Sequence, residues 1–225
     1  MIGFAAREVQ LSGRASRHEL ASDLSPRVRP VQARAKQTVD LILDNAAILL
    51  DEVGIDAFNT NLLAERAGVA VRSVYRYYPN KLAVIVGLAE RQASEWQTLL
   101  ARLLLPLADP KQSAYDAWDG VLDAYVAYIE EKQGRSAMHR AMQALPQLSE
   151  VNHRDNDALS DTISTALEAR GLSQPPALLR TIARVLLDTS DIAVDEALSR
   201  RGRVPLQLLN ELKRMHRAYL GCYLT

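Results

Sequence analysis

Residues 59–81 of the chain form the stretch NTNLLAERAGVAVRSVYRYYPNK. Its apolar residues recur at helical spacing in two short segments, roughly 61–67 and 71–77, which flank a turn at Gly68-Val69-Ala70. A glycine turn between two short helices is the layout of the helix-turn-helix motif. In that motif the second helix lies in the major groove of DNA, with its first residues toward the base edges. The stretch therefore predicts a DNA-binding unit.

The residue types of the second segment suit contact with DNA. Arg72 carries a guanidinium group that can bond O6 and N7 of guanine together. Ser73 and the hydroxyl groups of Tyr75 and Tyr77 suit phosphates or base edges. Tyr78 occupies the apolar packing position, so we expect it in the core rather than on DNA.

The same stretch is a local basic patch within a neutral chain. The 225 residues hold 27 basic and 27 acidic side chains, so overall charge cannot drive binding to nucleic acid. Residues 60–81 contain one acidic residue, Glu65, and four basic residues, which leaves a net charge of +3. The basic residues are Arg66, Arg72, Arg76 and Lys81. We expect Arg66 to be an ordinary surface residue and the other three to face DNA.

Composition excludes several other classes of protein. An apolar fraction of 48% with few glycines and prolines argues against disorder or a collagen-like chain. The single cysteine, Cys222, excludes an internal disulfide and a multi-cysteine zinc site. No apolar run is long enough to span a membrane, and Arg7 and Glu8 interrupt any signal-peptide core. We therefore expect a cytoplasmic protein without membrane contact.

The rest of the chain divides into an arm and a helical body. Residues 1–30 lack a helical period, carry five arginines against three acidic residues, and contain Pro26 and Pro30. We expect a flexible, mildly basic arm that either has no role or touches DNA phosphates. From residue 31 onward, apolar residues recur at helical spacing and no strand-like alternation competes. The predicted fold class is all-α, with a boundary between two helical domains near residue 80.

The middle of the helical body concentrates aromatic and methionine residues. They are Trp96, Trp118, Tyr125, Met138, His139 and Met142. Such residues form plain core in many helical proteins, but methionine and aromatic side chains also line adaptable ligand pockets. We predict a pocket for an apolar or aromatic small molecule, with Tyr125 and His139 as polar anchors; a closed core is the alternative.

The last two predicted helices carry leucine-rich faces over residues 178–193 and 206–220. An internal core and a dimer interface both explain such faces. If these faces form a dimer interface, substitution of Ile182 or Leu209 by a charged residue is expected to separate the two chains.

A catalytic or metal-binding function has little support in the sequence. Glu150-Val-Asn-His153 has the Glu-x-x-His spacing that di-iron helical bundles use in pairs, but it occurs once. A helical-bundle enzyme or metal-carboxylate protein is therefore the alternative function. Our expectation is a protein without catalysis, cofactor or metal.

Residues 35–90 resemble the DNA-binding domain of the TetR family of bacterial transcriptional regulators. The matching residues are Leu63-Ala64-Glu65-Arg66-Ala67-Gly68-Val69 and Ser73-Val74-Tyr75-Arg76-Tyr77-Tyr78-Pro79-Asn80-Lys81. The resemblance implies a three-helix N-terminal DNA-binding domain at 31–80 and a C-terminal helical ligand-binding and dimerisation domain at 81–225. It further implies a homodimer formed through the last two helices, a near-palindromic double-stranded operator, and release from DNA by an unidentified small molecule, with repression the favoured outcome.

The resemblance also assigns roles to single residues. Thr60 and Asn61 correspond to the phosphate-contacting start of the first short helix, and Val71, Arg72 and Ser73 to positions that meet bases. Tyr75, Arg76, Tyr77 and Lys81 correspond to backbone contacts. Two residues depart from the family pattern. Ala70 replaces the usual helix cap, and Val71 is apolar at a base-facing position, where it can contact a thymine methyl group.

Overall fold

The structure, a computed structural model, describes Leu24 and residues 26–28, 31–132 and 134–224. Within these ranges every regular element is a helix, which confirms the all-α prediction. The helices are α1 (Ala33–Ala57), α2 (Thr60–Arg66), α3 (Val71–Tyr77), α4 (Lys81–Leu103), α5 (Leu105–Ala108), α6 (Ala114–Glu131), α7 (Arg135–Ala144), α8 (Pro146–Ala169), α9 (Pro176–Arg201) and α10 (Leu206–Gly221).

Local capping residues fix the helices around the helix-turn-helix. The side-chain oxygen of Asn59 accepts from the backbone N–H groups of Asn61 and Leu62, at 3.1 and 3.0 Å, and so begins α2. Gly68 lies in the left-handed region at φ +64°, which allows the tight turn into α3. The side chain of Ala70 makes no capping bond to α3, as expected from its methyl group.

The helices enclose two separate apolar cores. The first lies among α1, α2, α3, the beginning of α4, α7 and the first turn of α8. The second lies among the remainder of α4 and helices α5, α6, α8, α9 and α10. Residues 83–89 of α4 and four residues of α7 belong to the first core, so the predicted boundary near residue 80 does not separate the two cores.

Helix α7 is locked to α1 at its first turn. Gly134 has φ +75°, and a Cβ atom there would lie 2.7 Å from the Cα atom of Ala47, so only glycine fits without displacing α1. The Gly134 N–H also donates to the Asp51 carboxylate at 2.5 Å. The start of α7 is therefore fixed against the DNA-binding unit.

Part of the predicted arm packs on the body. Leu24 contacts the first core, and the backbone N–H of Arg27 donates to the Tyr77 carbonyl at 2.8 Å. Leu24 and Arg27 therefore contact the body, and the flexible arm at residues 1–30 stays a prediction. The arm's residues 1–23, 25, 29 and 30 lie outside the described residues.

Candidate nucleic-acid interface and internal cavity

Helices α2 and α3 place most of the predicted DNA-binding residues on one exposed surface. The exposed members are Asn61, Val71, Arg72, Tyr75 and Arg76; Ser73 and Lys81 are half-buried, and Thr60 and Tyr77 are buried. The surface therefore presents hydroxyl, amide and guanidinium groups around the first turn of α3.

Thr60 connects the two helices. Its side chain is only 7% exposed, and its hydroxyl donates to the Tyr75 hydroxyl at 3.0 Å. Tyr75 itself is 40% exposed. In this structure Thr60 therefore positions the Tyr75 ring, instead of presenting its own hydroxyl at the surface as the family role implies.

Tyr77 is buried in the first core. Val74, Tyr77 and Tyr78 are spaced i, i+3 and i+4, which places all three on the inward face of α3 and its end. Tyr77 is 5% exposed, which conflicts with its predicted contact to the DNA backbone. Tyr78 is buried as expected, and burial raises its pKa to about 12.

The arginines of this surface differ in their partners. Arg66 forms a two-bond ion pair with Glu52, at 2.5 and 2.9 Å, which agrees with its expected surface role. Arg72 and Arg76 have no acidic partner within ion-pair distance among the described residues. Their positive charge is therefore available to an external anion.

Lys81 holds the beginning of α4 to the end of α1. Its ammonium group donates to the Ile55 carbonyl at 3.1 Å. An ammonium group has three donors, so this bond leaves capacity for a phosphate contact.

The second core contains a small cavity at the predicted pocket. Trp96, Trp118 and Tyr125 line it, as predicted, together with apolar residues of α8 and α9. Its polar lining residues are Arg135, Asn156, Ser190 and Asp191. Tyr125 donates a hydrogen bond to the Asp191 carboxylate, and burial together with that carboxylate raises the pKa of Tyr125 well above its usual value.

The other predicted pocket residues do not line this cavity. Met138 and Met142 lie in the first core, because α7 turns that face toward α1 and α4. In this conformation they are therefore not part of the cavity, and their contact with a ligand stays a prediction. The side chain of His139 lies outside the described residues.

The cavity is too small for the predicted ligand in this conformation. Its volume is about 40 Å³, which holds a few water molecules, whereas ligand pockets occupy roughly 300–1,000 Å³. The surrounding side chains therefore fill the predicted pocket, and the closed-core alternative describes this conformation.

A buried histidine ties Trp118 to the last two helices. The indole N–H of Trp118 donates to Nδ1 of His216 at 2.9 Å, so the ring proton of His216 is on Nε2. That nitrogen lies 2.7 Å from the Thr189 hydroxyl, which donates to the Val185 carbonyl. His216 is 1% exposed, and burial lowers its pKa from the usual 6.5 to about 4, although Asp119 acts in the opposite direction.

The free energy of unfolding is expected to fall as the pH drops from 6.5 toward 4. In that range the unfolded chain protonates His216 while the folded chain does not, so protons favour unfolding. The contribution is roughly 3 kcal/mol for a shift of this size. Urea unfolding at a series of pH values measures it, with His216→Gln as the non-titrating control. Parallel pH profiles for the two proteins would contradict the assignment.

Sequence reasoning missed several residues that shape these sites. Arg135, Asn156 and Asp191 line the cavity, and Arg27 binds the end of α3. The polar pair Ser190-Asp191 interrupts the apolar stripe of α9, and this interruption could have indicated the polar lining of the cavity. No sequence signal indicated Arg27, because its hydrogen-bond partners are main-chain carbonyl groups some 50 residues away.

The described residues contain neither a metal-ligand cluster nor a membrane-spanning helix. Among the described residues, no group of three or more His, Cys, Asp or Glu side chains is placed to hold a metal ion. The side chains of Glu150 and His153 are not among those described. No described helix combines the length and apolar character needed to cross a membrane.

These features define a helical DNA-binding protein of the helix-turn-helix class, and sequence comparison identifies the family. The family model "Bacterial regulatory proteins, tetR family" matches residues 42–87. The model "Tetracyclin repressor-like, C-terminal domain" matches residues 115–220.

Solved structures agree with this result. A TetR-family transcriptional regulator from Streptomyces coelicolor is 30% identical, with a TM-score of 0.66, and the match covers 83% of this chain and 99% of that one. A TetR-family regulator structure from Mesorhizobium loti is 15% identical, with a TM-score of 0.68 and coverage of 86% and 98%. The structure titled SmeT-Triclosan complex is 20% identical, with a TM-score of 0.63 and coverage of 84% and 92%. This chain belongs to the TetR family of bacterial transcriptional regulators.

Proposed function

We propose that this TetR-family regulator represses transcription as a cytoplasmic homodimer that binds a near-palindromic operator. The observation that carries the proposal is the exposed first turn of α3, where Arg72 stands without an acidic partner among the described residues. A guanidinium group in that position suits guanine in the major groove. The role is binding and not catalysis.

Exposed apolar residues on the last two helices support a dimer. On α9, Val185 and Ile192 are seven residues apart and share a face, with 37% and 67% of their surfaces exposed. Met215 on α10 is also exposed. Ile182 and Leu209, in contrast, are buried in the protomer's own second core. The predicted charge substitutions at those two positions are therefore wrong as a dimer test, because they would disrupt the protomer itself.

Helix α7 supports a route from the cavity to the DNA-binding unit. Arg135, in its first turn, lines the cavity, while Met138 and Met142 pack into the first core. A ligand that enlarges the cavity would displace Arg135 and with it the helix that α1 rests on. Release of DNA by a small molecule therefore requires a more open state than the one described, and the ligand must prefer that state.

Tryptophan fluorescence tests the small-molecule part of the proposal. Both tryptophans of the chain line the cavity, so an entering compound is expected to change their emission. The same compound should weaken operator binding by about 5- to 150-fold, the usual range of allosteric coupling. The control is Trp96→Phe, which removes one of the two fluorescent side chains and keeps the hydrogen bond from Trp118 to His216. Compounds that alter emission but leave operator affinity unchanged would contradict DNA release by a ligand. A library in which no compound alters emission would support the closed-core alternative.

Selection of bound duplexes from random DNA tests the main proposal. The expected result is enrichment of one near-palindrome whose half-site centres are about one helical turn apart. Recovery of unrelated sequences with no shared pattern would contradict operator recognition.

A further inference from the structure

The recognition helix α3 has little support of its own. It contains seven residues, and its N-cap residue, Ala70, offers no side-chain hydrogen bond. Helices of this length are unstable in isolation, since few internal hydrogen bonds offset the cost of forming the first turn. Contacts from the rest of the chain must therefore hold α3 in place.

One such contact comes from the N-terminal segment. The backbone N–H of Arg27 donates to the Tyr77 carbonyl at 2.8 Å, and its guanidinium group donates to the Tyr75 carbonyl at 3.3 Å. Both acceptors belong to the last turn of α3, where carbonyl groups lack partners within the helix. A cation there also interacts favourably with the helix dipole.

The segment that carries Arg27 is itself anchored. Leu24 packs against the first core, to which Val74 and Tyr77 of α3 also belong. Arg27 thus reaches α3 from a fixed point of the protein, about 50 residues earlier in the chain. The contact adds to the burial of Val74 and Tyr77 on the inward face of α3.

We infer that Arg27 is a positioning residue for operator binding, which acts by bracing the C-terminal end of α3. The inference rests on the proposed DNA-binding function. Arg27 is exposed, and its guanidinium group is directed to a main-chain carbonyl of α3. Its loss would loosen the helix that reads the bases, without removing a contact to DNA.

Operator affinity and its salt dependence separate this role from a direct phosphate contact. Arg27→Ala is expected to lower operator affinity about 3- to 10-fold, the usual effect of a hydrogen bond, while the slope of log K against log salt stays unchanged. A phosphate contact would instead reduce that slope by about 0.9. Arg34→Ala is the matched control, because Arg34 is exposed on α1 and the substitution removes the same charge. Any loss of affinity in the control should come with a shallower slope.

Hydrogen exchange of the free protein tests the brace without DNA. In Arg27→Ala the amide groups of residues 74–78 should exchange about 3- to 10-fold faster than in the wild type. The exchange rates of amide groups in α9 should stay unchanged. Unchanged exchange at α3, or a reduced salt slope, would overturn the inference. If the wild-type chain bound no duplex specifically, the proposed function and the role of Arg27 in operator binding would both be wrong. Hydrogen exchange would still show whether Arg27 stabilises α3.

Discussion

Ile192→Asp is expected to convert the protein to a monomer at micromolar concentration and to lower operator affinity at least about 100-fold. Ile192 is 67% exposed on α9, so the substitution leaves the protomer's cores intact. In the proposed dimer the same side chain is buried, and an unpaired carboxylate there costs several kcal/mol. Loss of the dimer also removes the gain from binding two half-sites at once. Sedimentation and operator titration measure the two effects.

The matched control for this substitution is Leu105→Asp. Leu105 is 68% exposed, but it lies on the short helix α5, which packs mainly against α4, α6 and α8. We expect this variant to remain dimeric and to bind the operator normally. A dimeric Ile192→Asp, or a wild-type monomer, would contradict the proposed interface.

Arg72→Ala is expected to weaken operator binding by about 1–3 kcal/mol, roughly 5- to 150-fold, and to relax preference at one base pair in each half-site. The reason is the loss of a bidentate contact to a base edge. Arg76→Ala is the comparison on the same helix. Arg76 is exposed and without an acidic partner among the described residues, but its predicted contact is to the backbone.

The two arginine variants should therefore differ in kind. Arg76→Ala should weaken all sequences alike and lower the salt slope by about 0.9. Titration against a panel of operator variants separates the two patterns. Identical patterns for both variants would show that the division into base and phosphate contacts is wrong.

Local sequence signals predicted the helix-turn-helix accurately because they act within a few residues. Val71–Tyr77 forms the second short helix as expected, and Asn80 caps α4 through the Ala83 N–H. Glycine turns and caps depend on short-range hydrogen bonds, so the residues themselves specify them.

The errors concern the direction in which helical faces point. Tyr75 and Tyr77 are both aromatic, but helical periodicity turns one outward and buries the other. Met138 and Met142 have regular helical spacing, but this spacing does not specify in which of the two cores their side chains are buried. The leucines of α9 and α10 posed the same problem, since core and interface faces share one composition. Tertiary packing decides these cases.

In the proposed dimer, two α3 helices read two half-sites together. The most direct test compares the affinity for the selected palindrome with that for the same duplex carrying about five extra base pairs, half a helical turn, between its half-sites. We expect affinity to fall to the level of non-specific DNA, because the insertion turns one half-site away from its recognition helix. Equal affinity for the two duplexes would contradict this joint reading of the half-sites.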